Sequence, residues 1–513
     1  MRGIFLGIFL VAACIFYSSC RKDFEYAASN GELQFSKDTV YLDTVFTNIS
    51  SSTYSLKVYN NSNSDIEIPN IRLAQGETSG YRLNVDGLAG RSFTNIPLLA
   101  KDSLFIFIET TFDINTVGVN EFLYTDAILF DQGDLEQKVE LVTLVKDAIF
   151  LFPSTDTDGT KETIVIGVDA DGQEINVEGF ILKDDQLTFT KEKPYVIYGY
   201  AGIAPERRLI IDAGVRVHFH KNSGLIVGDG GSIEINGLQS NDTLLLENEV
   251  IFEGDRLEPE LSDIPGQWGG ILLSKGSFAN SIDHLTIKNA TRGLSVEGDK
   301  QVSNSNLLIK NSRIYNSTLN NLLAKSANIS GENLVLGNAG DGSLVCEVGG
   351  NYRFLHSTIA NYWSNGFRTR AALQISNQDT FNPGSNVSHD LTAEFINCIV
   401  EGNSFKELDL RANEQNLFAF SFTNCLIKFR DFEEVDTTNP LYDFDNPEYY
   451  RDIILNQAPD FNNTSNEDFR IGENSSAINN ALPEAALEVP FDIIGIDRTT
   501  EPDIGAFEAK LEN

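Results

Sequence analysis

The sequence is short of positive charge. Its 513 residues carry 38 Lys and Arg against 74 Asp and Glu, a formal net charge of −36. Binding to nucleic-acid phosphates relies on Lys and Arg that displace counterions, so that class of partner is excluded. Long apolar runs are also missing. None reaches the ~18 residues that a membrane-spanning helix needs. Cysteine is scarce, with five in all. No Cys-x-x-Cys pair or Cys/His cluster offers zinc-site spacing. There is no Gly-rich phosphate loop and no Gly-x-Ser-x-Gly element. Apolar material is not lacking: 41% hydrophobic and 10% aromatic content is too much for a globally disordered chain. The length allows roughly two to four domains.

Arg2 precedes an apolar run from Ile4 to Tyr17, followed by Ser18, Ser19 and Cys20. A run of ~14 residues suits the core of a signal peptide better than a membrane span. The pattern resembles a bacterial lipoprotein signal, which implies acylation of Cys20 and removal of residues 1–19. Val11-Ala12-Ala13-Cys14 is a rival lipobox, but cleavage there would leave Ile15-Phe16-Tyr17 beside the lipid. Cleavage before Cys20 leaves the polar, acidic start Arg21-Lys22-Asp23-Phe24-Glu25, similar to surface-export signals of some Gram-negative lipoproteins. Residues 20–30 would form the tether. Cys346, Cys398 and Cys425 remain, enough for at most one internal disulfide in an oxidising compartment.

From 31 to about 148, apolar and polar residues alternate. Val40, Leu42, Val45, Leu56, Val58, Ile66, Ile68, Ile71, Leu73, Leu83 and Val85 mark short strands, separated by Asn-, Ser- and Gly-rich turns. Period-two patterning with frequent turns predicts a β-sandwich. The continuous run Leu104 to Ile108 predicts a central strand. Leu56 to Ser62 with Ile66-Glu67-Ile68 resembles immunoglobulin-like sandwiches of bacterial envelope proteins. Residues 149–200 read as a connector with hairpins. Asp156-Thr157-Asp158-Gly159 and Asp169-Ala170-Asp171-Gly172 look like calcium loops. In the EF-hand register, however, the first places Val165 where Glu is required, and the second places Gly167 at its first position. Asp-Gly also makes an ordinary hairpin turn.

A repeat begins near Leu209. Asn289, Asn311, Asn333, His356, Asn397 and Asn424 each close a similar segment, at intervals of 22, 22, 23, 41 and 27. Cys398-Ile399 and Cys425-Leu426 follow the last two. A second row runs through Leu294, Leu322, Leu344 and Phe367 at intervals of 28, 22 and 23. Short strands at such a period, without helical periodicity, predict a parallel β-helix whose Asn residues stack at corners, amide to amide. Those Asn are structural.

Leu209 to Val217, Gly224 to Val227 and Gly231 to Gly237 resemble the opening coils of right-handed β-helices of the pectin-lyase-like superfamily. Trp268-Gly269-Gly270-Ile271 and Ile282 to Gly293-Leu294 resemble their next coils. Ser475 to Asn479, Asp492 to Arg498 and Asp503 to Glu508 are similar to the terminal signature of secreted β-helix proteins. In that signature Gly495 and Gly505 suit tight turns, and Asp497, Arg498, Asp503 and Glu508 suit pairing within a cap.

Lyases of this superfamily use an Arg or Lys base, with calcium held by carboxylates on one face. The 41-residue interval between His356 and Asn397 marks an insertion containing Tyr362, Trp363, Arg368 and Arg370. Aromatics stack on sugar faces and Arg pairs with carboxylates. Arg368 and Arg370 are therefore the candidate catalytic residues, and Tyr362 and Trp363 the candidate glycan-binding ones. The plainer reading packs Trp363 under its own loop. His218 and His220 share one strand face, with no third metal ligand in view. The stretch Asp431, Glu433, Glu434, Asp436, Asp443, Asp445 and Glu448 reads as a solvated loop. No metal site is expected; calcium lacks a clear motif.

The chain thus reads as all-β: a signal (1–19), a tether (20–30), a β-sandwich (31–148), a connector (149–200), a right-handed parallel β-helix (201–430) and C-terminal coils with a cap (431–513). The expected role is a cell-envelope lipoprotein of binding or structural type. It would be anchored to the outer membrane, surface-exposed, and in contact with polysaccharide or an envelope protein. The alternative is a polysaccharide lyase or hydrolase acting on acidic glycans.

Overall fold

The computed structural model describes residues 26–116, 119–168, 172–299, 306–382, 384–432 and 438–510. The signal, Cys20 and residues 21–25 lie outside these ranges, as do Asp169, Asp171, Glu433, Glu434 and Asp436. The chain is almost wholly β and divides into two compact units, Met1–Asp147 and Ala148–Asn513.

The first unit is a β-sandwich. One sheet runs Ala27–Ala28, Ile66–Leu73, Glu121–Phe130, Gln137–Lys146, Thr39–Phe46, with Ser92–Leu98 also paired to Ile66–Leu73. The other runs Gln34–Phe35, Tyr54–Tyr59, Ser103–Thr110, Tyr81–Val85, Leu88–Gly90. The alternating residues Val40, Leu42, Val45, Leu56, Val58, Ile68, Ile71, Leu73, Leu83 and Val85 form one buried core, with Ile66 packed at its edge. Ser103–Thr110 is the central strand of its sheet, as the run Leu104 to Ile108 predicts. Only Leu104, Ile106 and Ile108 face the core; Phe105 and Phe107 are 44% and 45% exposed. The apolar run reflects a strand covered on one face, not two.

The second unit is a parallel β-helix with one sheet of 11 strands and another of 18. Its stacking starts before residue 201: Ile149–Leu151 pairs in parallel with Tyr195–Ile197, which pairs with Arg216–Phe219. The connector's hairpin is Thr163–Val168 against Glu174–Ile181. At Asp158-Gly159 the chain makes a turn, where the Asp158 carboxylate accepts the Thr160 N–H at 2.9 Å.

Like residues stack inside the coils. Leu225, Ile271, Leu294, Leu322, Leu344, Leu373 and Leu408 form one buried column. Leu373 holds the place expected for Phe367, which is 102% exposed; the insertion pushes the next inward residue later in the chain. Phe354, Phe395, Phe422 and Tyr450 form an aromatic column, with successive centroids 5.3, 5.0 and 5.7 Å apart. Cys346, Cys398 and Cys425 are buried free thiols.

The corner residues form two columns. The strand register aligns His284, Asn311, Asn333, His356, Asn397 and Asn424. Asn289 belongs to the other, with Asn316, Asn338 and Asn361. In the first column every φ is positive, from 45° at His356 to 56° at Asn397. Asn tolerates this left-handed conformation better than most side chains, which explains its repetition. The amides link coils: Asn333 Nδ2 donates to Asn311 Oδ1 at 2.9 Å, and Asn316 Nδ2 to Asn289 Oδ1 at 2.7 Å.

The C-terminal cap lies along the flank of the coils. Val335, Ala360, Ile399 and Leu426 are apolar residues on that flank. They are buried against Phe461, Phe469, Ile471, Ile493, Ile504 and Phe507 of the terminal segment. A Cβ at Gly337 would lie 2.2 Å from the Phe469 ring. The Gly505 N–H donates to the Asn397 carbonyl (2.9 Å), and Gln239 Nε2 donates to the Ile494 carbonyl (2.7 Å). Arg498 is fully buried, 3.3 Å from Glu508, and donates to the carbonyls of Gly505 and Ala506. Asp503 accepts the N–H groups of Asn479 and Ala509. Asp497 pairs with Thr499 instead of a cation. Burial pushes the Glu508 carboxyl up to about 8 and raises Asp492 and Asp503. Burial and the nearby Arg498 hold His356 well below the usual imidazole range.

Candidate functional site

The insertion holds its candidate residues inward. Arg368 is 4% exposed and its partner Glu407 is fully buried. Two guanidinium nitrogens of Arg368 reach the two Glu407 oxygens at 2.7 and 2.6 Å. The same guanidinium donates to Asn403 Oδ1, Ser404 Oγ and the carbonyls of Asn361 and Arg370. Arg370 lies 2.9 Å from Asp341 and donates to Gln374 Oε1 (2.6 Å) and Thr380 Oγ1 (2.9 Å). Its guanidinium stacks 4.1 Å from the Phe381 ring centroid. Glu347, beside it, accepts from Gln374, from the Thr380 hydroxyl and from the Thr380 N–H; burial raises its carboxyl. In this geometry Arg368 and Arg370 are clamps that fasten the insertion to the coils beside it.

The aromatics are used in the same way. Trp363 is buried, and a Cβ at Gly340 would meet its ring at 3.1 Å. Tyr362 packs in the flank cluster, with ring centroids 6.1 Å from Phe461 and 6.4 Å from Phe469. Trp363 is thus taken up by packing, while Tyr362 stays partly exposed.

Another part of the helix is open. A groove of about 550 Å³ crosses the coils where Asn328, Asn351 and Thr392 lie side by side in register. Asn351 and Thr392 are exposed. Its other walls include Asp299, Ser326, Ser388, His389, Asp390 and Asn416. Ser326 has φ 48° and Gly350 φ 122°, so the corner turns sharply here. A Cβ at Gly350 would lie 2.5 Å from the Ala327 carbonyl oxygen, so Gly keeps the floor low.

One wall of the groove is held by hydrogen bonds. Asn416 Nδ2 donates to Ser388 Oγ at 3.0 Å, Asp390 accepts the Leu417 N–H at 2.9 Å, and the His389 N–H reaches the Asn377 carbonyl at 3.1 Å. Ser326 Oγ donates to the Val348 carbonyl at 3.0 Å and lies 2.9 Å from His389 Nδ1. A hydroxyl has one proton, so in this arrangement Nδ1 is the donor to Ser326. Asp299 is 3.5 Å from Lys275. The groove therefore presents amides, hydroxyls, one imidazole and two carboxylates, a set matched to the hydroxyl-rich surface of a saccharide. Sequence reading missed it because its members are scattered from 299 to 416. The nearest signal was Ser388-His389-Asp390, in a chain with only five His.

His218 and His220 do share a face. His218 is buried outside the Val217–Phe219 interior, 3.7 Å from Glu253; His220 pairs with Asp255 at 2.7 Å and stacks on Tyr198. Asp431 pairs with Lys406 at 2.6 Å. Among the described residues, no group of three or more His, Cys, Asp or Glu is placed to hold a metal ion, and no helix is long and apolar enough to cross a membrane.

No family model matches the chain, and no curated protein matches it. Among solved structures it is similar to the catalytic domain of a GH87 alpha-1,3-glucanase in complex with tetrasaccharides (9% identity, 74% of this chain and 82% of that one, TM-score 0.20). It is also similar to a PapD-like domain of human CEP192 (8% identity, 23% and 86%, TM-score 0.16) and to the periplasmic chaperone SfaE (14% identity, 22% and 57%, TM-score 0.15).

Proposed function

We propose that the protein is a cell-envelope lipoprotein that binds a glycan across the coils of its β-helix. The observation that carries this reading is the open groove floored by Asn328, Asn351 and Thr392. A ladder of short polar groups repeating at each coil matches a polymer of repeating hydroxylated units. The resemblance to lipoprotein signals supports anchoring through acylated Cys20 to the outer membrane, facing outward. The resemblance of residues 200–513 to pectin-lyase-like β-helices supports a polysaccharide partner. The first unit's likeness to immunoglobulin-like sandwiches suits a spacer or a second interaction module.

A second reading rests on Asp299 and Asp390, which both line the groove. Two carboxylates flanking a sugar are the equipment of a glycoside hydrolase. One experiment separates the two. Soluble protein from residue 21 onward is incubated with a panel of neutral and acidic polysaccharides, with and without calcium. Retention, release of reducing ends and the ultraviolet absorbance of unsaturated uronates are followed together. Binding predicts retention of one glycan without product, weakened in Asn351→Ala. Reducing ends that vanish in Asp299→Asn or Asp390→Asn would establish the hydrolase. Unsaturated product would establish a lyase. No retention of any glycan overturns the groove reading. Anchoring is checked separately: palmitate labelling of the full chain, lost in Cys20→Ala.

A further inference from the structure

The outer face of the five-stranded sheet in the first unit carries a separate set of groups. Phe105 and Phe107 stand next to each other there, centroids 6.1 Å apart and 7° from parallel. Leaving two large rings partly in water at the centre of a sheet forgoes part of the stabilisation of burying them. Lys57 Nζ sits 4.5 Å from the Phe105 centroid. Asn84 lies opposite Phe107 across the strands, and Arg82 opposite Glu109. Phe107, Arg82, Asn84 and Glu109, with Ala89, Gly90 and Arg91, line a pit of about 360 Å³; Phe105 and Lys57 lie beside it.

The charges there run against the rest of the molecule. Lys57, Arg82 and Arg91 gather here; Glu109 lies 3.3 Å from Arg82 and Glu77 lies 3.9 Å from Arg91. Arg82 is held in place by Thr111 Oγ1 at 2.8 Å and Glu109 at 3.3 Å. Arg91 is anchored by its Nε, which donates to the Ser79 carbonyl at 3.0 Å. A protein of net charge −36 thus places three cations around two bare aromatic rings and an amide. A pit of this size takes one or two sugar rings. An aromatic ring offers an apolar platform, an amide matches hydroxyls, and an Arg matches a carboxylate.

We propose that this pit binds an acidic saccharide, with a sugar ring on Phe107, hydroxyls at Asn84 and the hairpin backbone, and a uronate carboxylate at Arg91 beside Arg82. The site is independent of the groove on the β-helix, and each stands if the other fails.

The test uses the soluble chain from residue 21 onward, titrated calorimetrically with trigalacturonate and with maltotriose. Trigalacturonate binds, more weakly as salt rises, and at least about tenfold more tightly than maltotriose. Phe107→Ala and Arg91→Ala each weaken it about tenfold. Both sandwich variants keep the unfolding midpoint of the first unit. Absence of trigalacturonate binding, equal affinity for maltotriose, or unchanged affinity in both sandwich variants overturns the proposal. So does a loss confined to Asn351→Ala, which would assign the acidic sugar to the groove.

Discussion

Outward, mid-strand apolar residues meet opposite fates in the two units. On the flank of the β-helix, Val335, Ala360, Ile399 and Leu426 are buried by the chain's own C-terminal segment. On the sandwich, Phe105 and Phe107 occupy the same kind of position and remain open. Alternation determines which face of a strand turns inward. It does not determine whether the other face is covered, because the cover arrives from distant sequence. The helix gains a second, lateral core in this way, and the sandwich keeps a surface.

Breaking the buried clamps should separate the units most. Arg368→Ala leaves Glu407 charged and buried, which costs about 3–5 kcal/mol. Denaturant unfolding should show the helix transition shifted by that amount and the sandwich transition unmoved; a shift of the sandwich instead would break the comparison. Leu344→Ala, in the middle of the leucine column, should remove about 3 kcal/mol from the same transition.

The flank can be loosened by pH. Folded Glu508 keeps its proton up to about 8, whereas the unfolded side chain loses it near 4.5. The folded state therefore binds more protons between these values, and stability falls as pH rises through the window. His356 acts in the opposite sense: burial holds its imidazole well below the usual range, so stability is lost as pH falls below about 6.5. Above about pH 6.5 the loss should be on the order of 1 kcal/mol per pH unit, levelling off as pH passes 8. Glu508→Gln should flatten it in urea titrations at successive pH values.

Smaller effects sharpen the contrast. Asn333→Ala removes one rung of the corner ladder and a favourable left-handed residue, about 1 kcal/mol from the helix. Phe107→Ala should change sandwich stability by less than about 0.5 kcal/mol, since the ring is exposed. A larger loss would mean that the ring packs as part of the structure.

The fold was legible where one physical demand repeats. Left-handed corners select Asn, so the column from Asn311 to Asn424 stood out, and the sandwich core followed from strict alternation. Register was less legible. Asn289 entered the wrong column because two corners per coil both favour Asn, and Phe367 took the place of Leu373 because an insertion breaks the period. The site was scarcely legible. Arg368, Arg370, Tyr362 and Trp363 carry the right chemistry for a glycan, yet a buried Glu407 and the space beneath a loop are invisible until the coils stack. Asn351, Thr392 and His389 carry no pattern at all, because outward polar residues obey no packing constraint.

The lateral cap also has a bearing on the order in which the molecule folds. Coils from residue 239 to 424 rest against segments that include residues 480 to 507. These contacts join residues as far as 255 apart in sequence. Coils that stack on their neighbours first leave an apolar flank bare until residues 461–507 dock on it. The last step of folding is thus a lateral one: until it is taken, Val335, Ala360, Ile399 and Leu426 form an open stripe of the kind that drives association between copies.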